Sequence, residues 1–433
     1  VRTVLLVSLN FPPSQLAGVH RARHLAKHLP KFGWRPIVVT VDERFHKEPP
    51  DTCLGRLVPD RTEVHRISAI PPGATAWFGI GDLALRAMVQ LARKLDELIG
   101  KHRPDVVFIT GAPFYQMLLG GRVRSRGARV VLDFQDPWVS IEGATRPRWS
   151  KSGAAHRLAV ALEPRAVRHA HLITSVSEIQ NEQMAERYPW LDRSRMAAIP
   201  IGGDPEDFDA LRADSPASMQ IQLEPDRIHL SYVGTFLPRA GPLVRVLLRA
   251  VHALKKSDPD LASRLQLNFV GTSNQPGDVT SYRVRPLAEE VGVAELVREV
   301  PQRIPFLQAL AVLAQSNGLL LIGSDEPHYT ASKIYPALMS GRPFLSLFHH
   351  ASSAHAILSA AGGGRSVAFE HPHELEALVD PLAEALRILA LHPAQLGRVD
   401  PAAYAPYTAA AVTRRFAEVF DGLVTQRQDA LCA

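Results

Sequence analysis

Short apolar runs that do not alternate constrain this chain more than any other feature. Residues 4–9, 36–41 and 104–110 are almost continuous in Val, Ile, Leu and Phe. A strand with one wet face alternates apolar with polar residues; a run that is apolar throughout is buried on both faces, which is the situation of a parallel sheet covered by helices. Between the first two runs lies a helical stretch, 19–32, closed by Gly33, so the chain opens as a strand–helix–strand unit. Met88, Leu91, Leu95 and Leu98 repeat at helical spacing within 83–100. Further strands are predicted at 128–133, 171–176 and 196–200.

The pattern pauses over 202–226, which is rich in Pro, Asp and Ser, and then restarts. Strands are predicted at 228–234, 265–271, 318–322 and 343–347, with helices at 243–256, 303–316, 332–340 and 410–422. A length of 433 residues accommodates two domains of about 100–200 residues each with some to spare. The expected division is a first domain over 1–205, a second over 206–405, and a closing helix over 406–433 that packs back on the first. The expected fold is therefore α/β, two doubly wound parallel sheets. In such sheets ligands bind beyond the carboxyl ends of the strands. With two sheets facing one another, the cleft between them is the expected site.

Composition removes several function classes. Hydrophobic residues make up 46% and charged residues 21%, enough apolar surface to exclude disorder as the main state. Two cysteines, Cys53 and Cys432, exclude a disulfide scaffold and a CxxC zinc site. No run reaches the roughly 18–20 apolar residues of a membrane span. The apolar run near Val4 is too short for a secretory signal, so a cytoplasmic protein is expected. The net charge of +6 is scattered, with no basic stripe interleaved with aromatics, so no nucleic-acid partner is expected.

Particular residues carry the chemistry. Ser332 reads as a helix N-cap, which puts Lys333 in the first turn, where the helix dipole disfavours a cation. A lysine there makes sense with an anion, such as phosphate, between it and the backbone N–H groups; the other reading is a solvated surface lysine. Asp136 ends a strand and precedes Pro137. It either orients or deprotonates a substrate hydroxyl, or caps the next turn. His20, His24 and His28 share a helix face at zinc-like spacing, but lack the accompanying glutamate of HExxH. Arg122, Arg124, Arg126 and Arg129 read as a solvated helix end.

The stretch from Tyr329 to Pro343 is similar to the donor-nucleotide signature of GT-B glycosyltransferases, most closely glycosyltransferase family 4. Ser332, Lys333, Met339, Gly341, Arg342 and Pro343 fall in that register. Further segments agree in order: Asn10-Phe-Pro-Pro with Gly18 and Arg21; Asp133-Phe-Gln-Asp136-Pro-Trp138; Glu163 and 170–177; Ile199-Pro-Ile-Gly-Gly-Asp204; and Tyr232-Val-Gly234-Thr235 leading to Arg239. The chain departs from the family at Pro336 and His328, where the family carries glutamates, at Gln135 in place of an arginine, and at Ile201 in place of an asparagine. Glu326 is then the candidate for the ribose contact.

The resemblance implies a GT-B fold and a retaining transfer of a sugar from a nucleotide-diphosphate sugar to a hydroxyl of a glycan, lipid-linked or small-molecule acceptor, with no cofactor. Its implied catalytic residues are Asp136, Arg239 and Lys333. Its implied donor-binding residues are Gly18, Arg21, Gly234, Thr235, Arg239, Glu326, Tyr329, Ser332, Lys333 and Tyr335. No DxD-type carboxylate cluster stands in the sequence, so arginine, lysine and helix dipoles are expected to stabilise the leaving diphosphate without a metal. Two other readings stand: a GT-B sugar-nucleotide epimerase, and a sugar-nucleotide-binding protein with a decayed site. A peripheral membrane contact through Trp77, Phe78, Ile80 and Leu83 is a further expectation.

Overall fold

A computed structural model describes residues 1–75, 80–213, 219–273, 279–325 and 332–432. The chain divides into two compact units, Val1–Ile201 with Ala409–Ala433, and Gly202–Thr408.

The first unit holds seven strands: β1 (Arg2–Val7), β2 (Trp34–Val41), β3 (Glu63–Ile67), β4 (Val106–Gly111), β5 (Arg129–Phe134), β6 (Leu172–Ser175) and β7 (Met196–Ala198). They form one sheet in the order β3-β2-β1-β4-β5-β6-β7, parallel throughout. Leu5 pairs with Ile37 on one side and Val107 on the other. These residues, with Val7, Val39 and Ile109, pack against Leu91, Leu95 and Leu98 of α2 (Leu83–His102), which follows α1 (Val19–His28) in the chain. The opposite face carries Val4, Leu6, Val38 and Phe108, which pack against Leu25 of α1 and Phe416 of the last helix (Ala409–Cys432). Both faces are thus covered, which is why the sequence of these strands does not alternate.

The last helix belongs to the first unit although some 200 residues of the second unit intervene. Phe416 meets the Phe108 ring edge-on at 5.4 Å, and Phe420 meets Trp34 in the same way at 5.4 Å. Asp421 accepts the Trp34 indole N–H at 2.9 Å.

The second unit holds β8 (Ile228–Val233), β9 (Leu265–Val270), β10 (Val297–Val300), β11 (Gly318–Ile322), β12 (Phe344–His349) and β13 (Gly364–Phe369). Their order is β10-β9-β8-β11-β12-β13, again parallel. The segment expected as a linker opens this unit instead. Glu206–Ala213 is a helix, α3, with Phe208 and Leu211 buried beneath it. Asp204 accepts the Glu206 N–H at 3.1 Å, so the acidic residues there cap a turn. Helix α4 (Gly241–Ser257) lays Leu243, Leu247 and Leu254 on the sheet.

Strands β3, β10 and β13 were not expected from the sequence, and all three are sheet edges. An edge strand needs less apolar coverage, so Glu63-Val-His-Arg-Ile67 and Val297-Arg-Glu-Val300 mix charge with apolar residues and escape a search for continuous apolar runs. In both sheets the strand order reverses beside the first strand, between β1 and β4 and between β8 and β11. The crevice at such a reversal, past the carboxyl ends of the strands, is where ligands bind in open α/β sheets.

Candidate functional site

In the second unit, Gly234, Thr235, Arg239 and Lys333 of the expected donor residues lie at that reversal. β8 runs out at Val233 into Gly234, whose φ of +136° lies where only glycine is comfortable. Lys333, the residue that starts α5 (Ile334–Met339), lies over it. A Cβ on Gly234 would stand 3.4 Å from Lys333 Cε and 3.5 Å from Nζ. The Lys333 ammonium donates to the Tyr232 hydroxyl and to the Thr235 carbonyl at 3.3 Å, and sits 4.0 Å from the centre of the Tyr232 ring. Tyr232 in turn donates to the same carbonyl at 2.9 Å.

Among the described residues no carboxylate pairs with Lys333. Its partners are a hydroxyl, a carbonyl and a ring face. Burial without a counter-charge pulls its pKa from 10.5 down to about 7. A cation held in this way is short of an anion.

Arg239 lies beyond the carboxyl end of β8, in a short helical turn, Pro238–Ala240, with its side chain exposed. Its Nε donates to Asp325 Oδ1 at 2.6 Å. Asp325 follows the carboxyl end of β11, so this ion pair spans the strand reversal.

Two expectations for this unit are corrected. Ser332 does not cap the helix: it is exposed, makes no side-chain cap bond, and Lys333 itself occupies the N-cap position with helical backbone angles. Serine preference favours an earlier helix start, whereas Ser332 lies in the turn before the helix. Tyr335 is buried and stacks on Tyr407 at 5.5 Å between ring centres, so it packs the unit and does not face a donor. Glu326, His328 and Tyr329 lie outside the described residues, as do Trp77 and Phe78 of the expected membrane segment.

In the first unit, Gly18 precedes α1 as its N-cap. Its carbonyl accepts the Gln135 side-chain N–H at 3.1 Å, and the same Nε2 donates to Thr110 Oγ1 at 2.8 Å. Gln135 thus ties the end of β5 to the start of α1. A Cβ on Gly18 would meet nothing closer than 3.8 Å, so the protein itself does not require glycine there.

Asp136 follows Gln135 and is exposed. Dense protein around it still removes enough hydration to raise its pKa. Among the described residues its carboxylate accepts no hydrogen bond and joins no ion pair, so the turn-capping alternative is not what the structure builds.

Arg21, expected on the donor side, is corrected as well. It is 1% exposed. It donates to the carbonyls of Ile199 and Pro200, each at 2.7 Å, lies 3.3 Å from Asp133, and rests on the Phe416 ring. Asp133 is also buried and accepts the hydroxyls of Thr110 and Thr174. The pair ties α1 to β5 and to the chain after β7. A sequence shows an arginine near a glycine loop but not which way its side chain turns.

On the histidine face of α1, His20 and His24 are engaged by their own helix. Arg23 contacts His20 Nδ1 at 3.3 Å and His24 Nε2 at 2.9 Å. Burial and this guanidinium lower the His20 pKa to about 3. Arg122 and Arg126 both pair with Asp96, as a solvated helix end would.

Tyr232 and Asp325 were not anticipated as members of the site. Tyr232 sits within β8, next to its last residue, where an aromatic residue signals core, and Asp325 is one more acidic residue after a strand. Only the fold gives them their partners.

Residues 17–202 match the family described as glycosyl transferase 4-like domain. A D-inositol 3-phosphate glycosyltransferase from Actinosynnema mirum is 31% identical over 145 residues, 34% of this chain and 34% of that protein. The chain thus aligns with about a third of the length of the curated relatives it matches. HepE of Anabaena, solved in complex with UDP and glucose, shares the fold at a TM-score of 0.59 and 16% identity, over 96% of this chain and 99% of that one. An α,α-trehalose 6-phosphate synthase from Burkholderia multivorans does so at 0.62 and 12%, over 100% and 98%. Both likenesses run the length of the chain, and the two-sheet architecture is that of the GT-B fold.

Proposed function

We propose, for a chain whose residues 17–202 match the glycosyl transferase 4-like family, that the protein transfers a sugar from a nucleoside-diphosphate sugar to an acceptor hydroxyl. The single observation that carries this reading is Lys333, a half-buried cation that pairs with no carboxylate among the described residues, set over a glycine at the carboxyl end of β8. The UDP in the HepE complex makes UDP the first diphosphate to try.

When the sugar departs, negative charge grows on the diphosphate. Fixed donors in a site of low polarity stabilise that charge with little reorganisation. Lys333 meets it and regains a full positive charge. Arg239 exchanges Asp325 for a phosphate oxygen, and the bare backbone of Gly234 lets the diphosphate come close. Removing one such donor costs about 2.7–4 kcal/mol in the transition state, a factor of about 100–1,000 in kcat.

Asp136, with its raised pKa and free carboxylate, orients the acceptor hydroxyl and takes its proton. Retention of configuration, independence of metal at the diphosphate, and a cytoplasmic setting belong to the same proposal. So does an acceptor that is a glycan, a lipid-linked sugar or a small polyol. With a lipid-linked acceptor, the exposed Ile70 and Ile80 are side chains that would touch the bilayer.

The test is a thermal-shift series with UDP, GDP, dTDP and ADP. A ligand at about 100 times its Kd adds about 2.7 kcal/mol of stability. One diphosphate is expected to stabilise the protein, and Lys333→Ala and Arg239→Ala each to abolish the effect. An unchanged response in both variants would overturn the donor site. An epimerised donor formed with no acceptor present would assign the epimerase reading instead.

A further inference from the structure

We infer that Glu63, His65 and His102 form a binding site for a divalent transition metal, best suited to Zn²⁺, at the amino edge of the first sheet. The observations behind it are separate from those behind the sugar-transfer reading.

Glu63 and His65 are two apart on β3, so their side chains leave the same face of the strand. Ile67, two further on, packs in the same apolar cluster as Leu98 and Ile99 of α2. The face that carries Glu63 and His65 therefore turns toward α2. His102 is the last residue of that helix, and Arg103 then adopts a left-handed conformation with φ of +46° that ends it. The three side chains converge at the start of β3, at the end of the sheet opposite to Asp136.

Their ligand atoms lie within 4.8 Å of one another. Glu63 Oε1 is 2.9 Å from His65 Nε2 and 3.6 Å from His102 Nε2. Tetrahedral zinc with bonds of about 2.0–2.2 Å to nitrogen and oxygen keeps its ligand atoms about 3.3–3.5 Å apart. The two distances bracket that value, so small side-chain rotations complete the geometry. His102 Nε2 is buried and has no hydrogen-bond partner among the described residues, a costly state that a metal bond relieves.

The carboxylate is prepared as well. Arg35 Nη2 donates to Glu63 Oε2 at 2.6 Å, which leaves Oε1 for the histidines. Ligating carboxylates are held by outer hydrogen bonds of this kind in metal sites. All three side chains keep some contact with solvent, which supplies both an entry route and a water as fourth ligand. Two histidines, one carboxylate and an open position form a donor set that zinc accepts.

The experiment uses the full chain stripped with EDTA and dialysed, then titrated with Co²⁺ while visible absorption is followed. Zn²⁺ is then added to displace it. One tight equivalent with the intense bands of a tetrahedral centre is expected. His65→Ala and His102→Ala should each weaken it by more than about 100-fold, and Arg35→Gln by about 10–100-fold. Circular dichroism and the diphosphate thermal shift report folding. If His102→Ala does not fold, His65→Ala, whose ring is the more exposed, decides. The same tight equivalent in the histidine variants would overturn the site, as would no Co²⁺ or Zn²⁺ binding by the native chain at micromolar metal. Either result would leave Arg35, Glu63 and His65 as an ordinary ion-pair cluster.

Discussion

Lys333 and Arg21 are both cations that the sequence places near glycine-bearing loops, and the fold gives them opposite fates. Among the described residues Lys333 has only neutral partners, and burial lowers its pKa to about 7. In the unfolded chain it holds its proton up to about 10.5. Between those values the unfolded state binds more protons, so this residue's contribution to stability grows as pH rises from 7 toward 10.5. A bound diphosphate reverses the preference and restores the proton. Calorimetry of UDP binding near pH 8, in buffers of different ionisation enthalpy, should therefore show uptake of close to one proton. Affinity should fall as pH rises above 7, and Lys333→Met should remove both effects. Proton uptake identical in that variant would mean another group senses the ligand. Arg21, by contrast, is buried against Asp133 and two carbonyls. Arg21→Met leaves Asp133 uncompensated and should cost about 3–5 kcal/mol of stability, measured by denaturant unfolding. The diphosphate Kd of the folded variant should match that of the native chain. A raised Kd would restore Arg21 to the donor site.

At the scale of elements, the junction of β8, Gly234 and α5 sets the donor geometry. Gly234→Ala forces a side chain into a backbone region worth about 1–3 kcal/mol of strain. It also sets a methyl in contact with the Lys333 stem at 3.4 Å. Both a lower melting temperature and a weaker diphosphate shift are expected, and a variant with native values for both would show that the close approach carries no function. Elements of this kind were partly legible in the sequence. The central strands were, because burial on both faces writes itself as unbroken Val, Ile and Leu. The edge strands were not, because β3 and β10 carry charged residues that any loop might have. Lys333 with Gly234 was legible through its motif, but the placing of Tyr232 and Asp325 depends on strands far apart in sequence. The turn of Arg21 toward β5 depends on the chain after β7, some 180 residues away.

Each of the two units of the whole molecule carries its own core, and the first takes material from both ends of the chain. Phe416 and Phe420 are fully buried in the first unit. Burying a phenylalanine stabilises by about 1.5–3 kcal/mol, so cutting the chain before Ala409 removes about 3–6 kcal/mol from these two rings alone. That is comparable to the whole stability of many domains. The truncated protein should show early, probe-dependent unfolding of the first unit while the second keeps its cooperative transition. A single native-like transition would refute the claim.

The return of the last helix also bears on how the protein is made. A ribosome adds about 5–20 residues per second, so synthesis of the intervening 200 residues takes about 10–40 s. Throughout that interval the part of the first sheet's face around Trp34 and Phe108 that Phe416 and Phe420 will cover stays open on the nascent chain. Chaperone shelter during translation is thus a demand built into the connectivity of the chain.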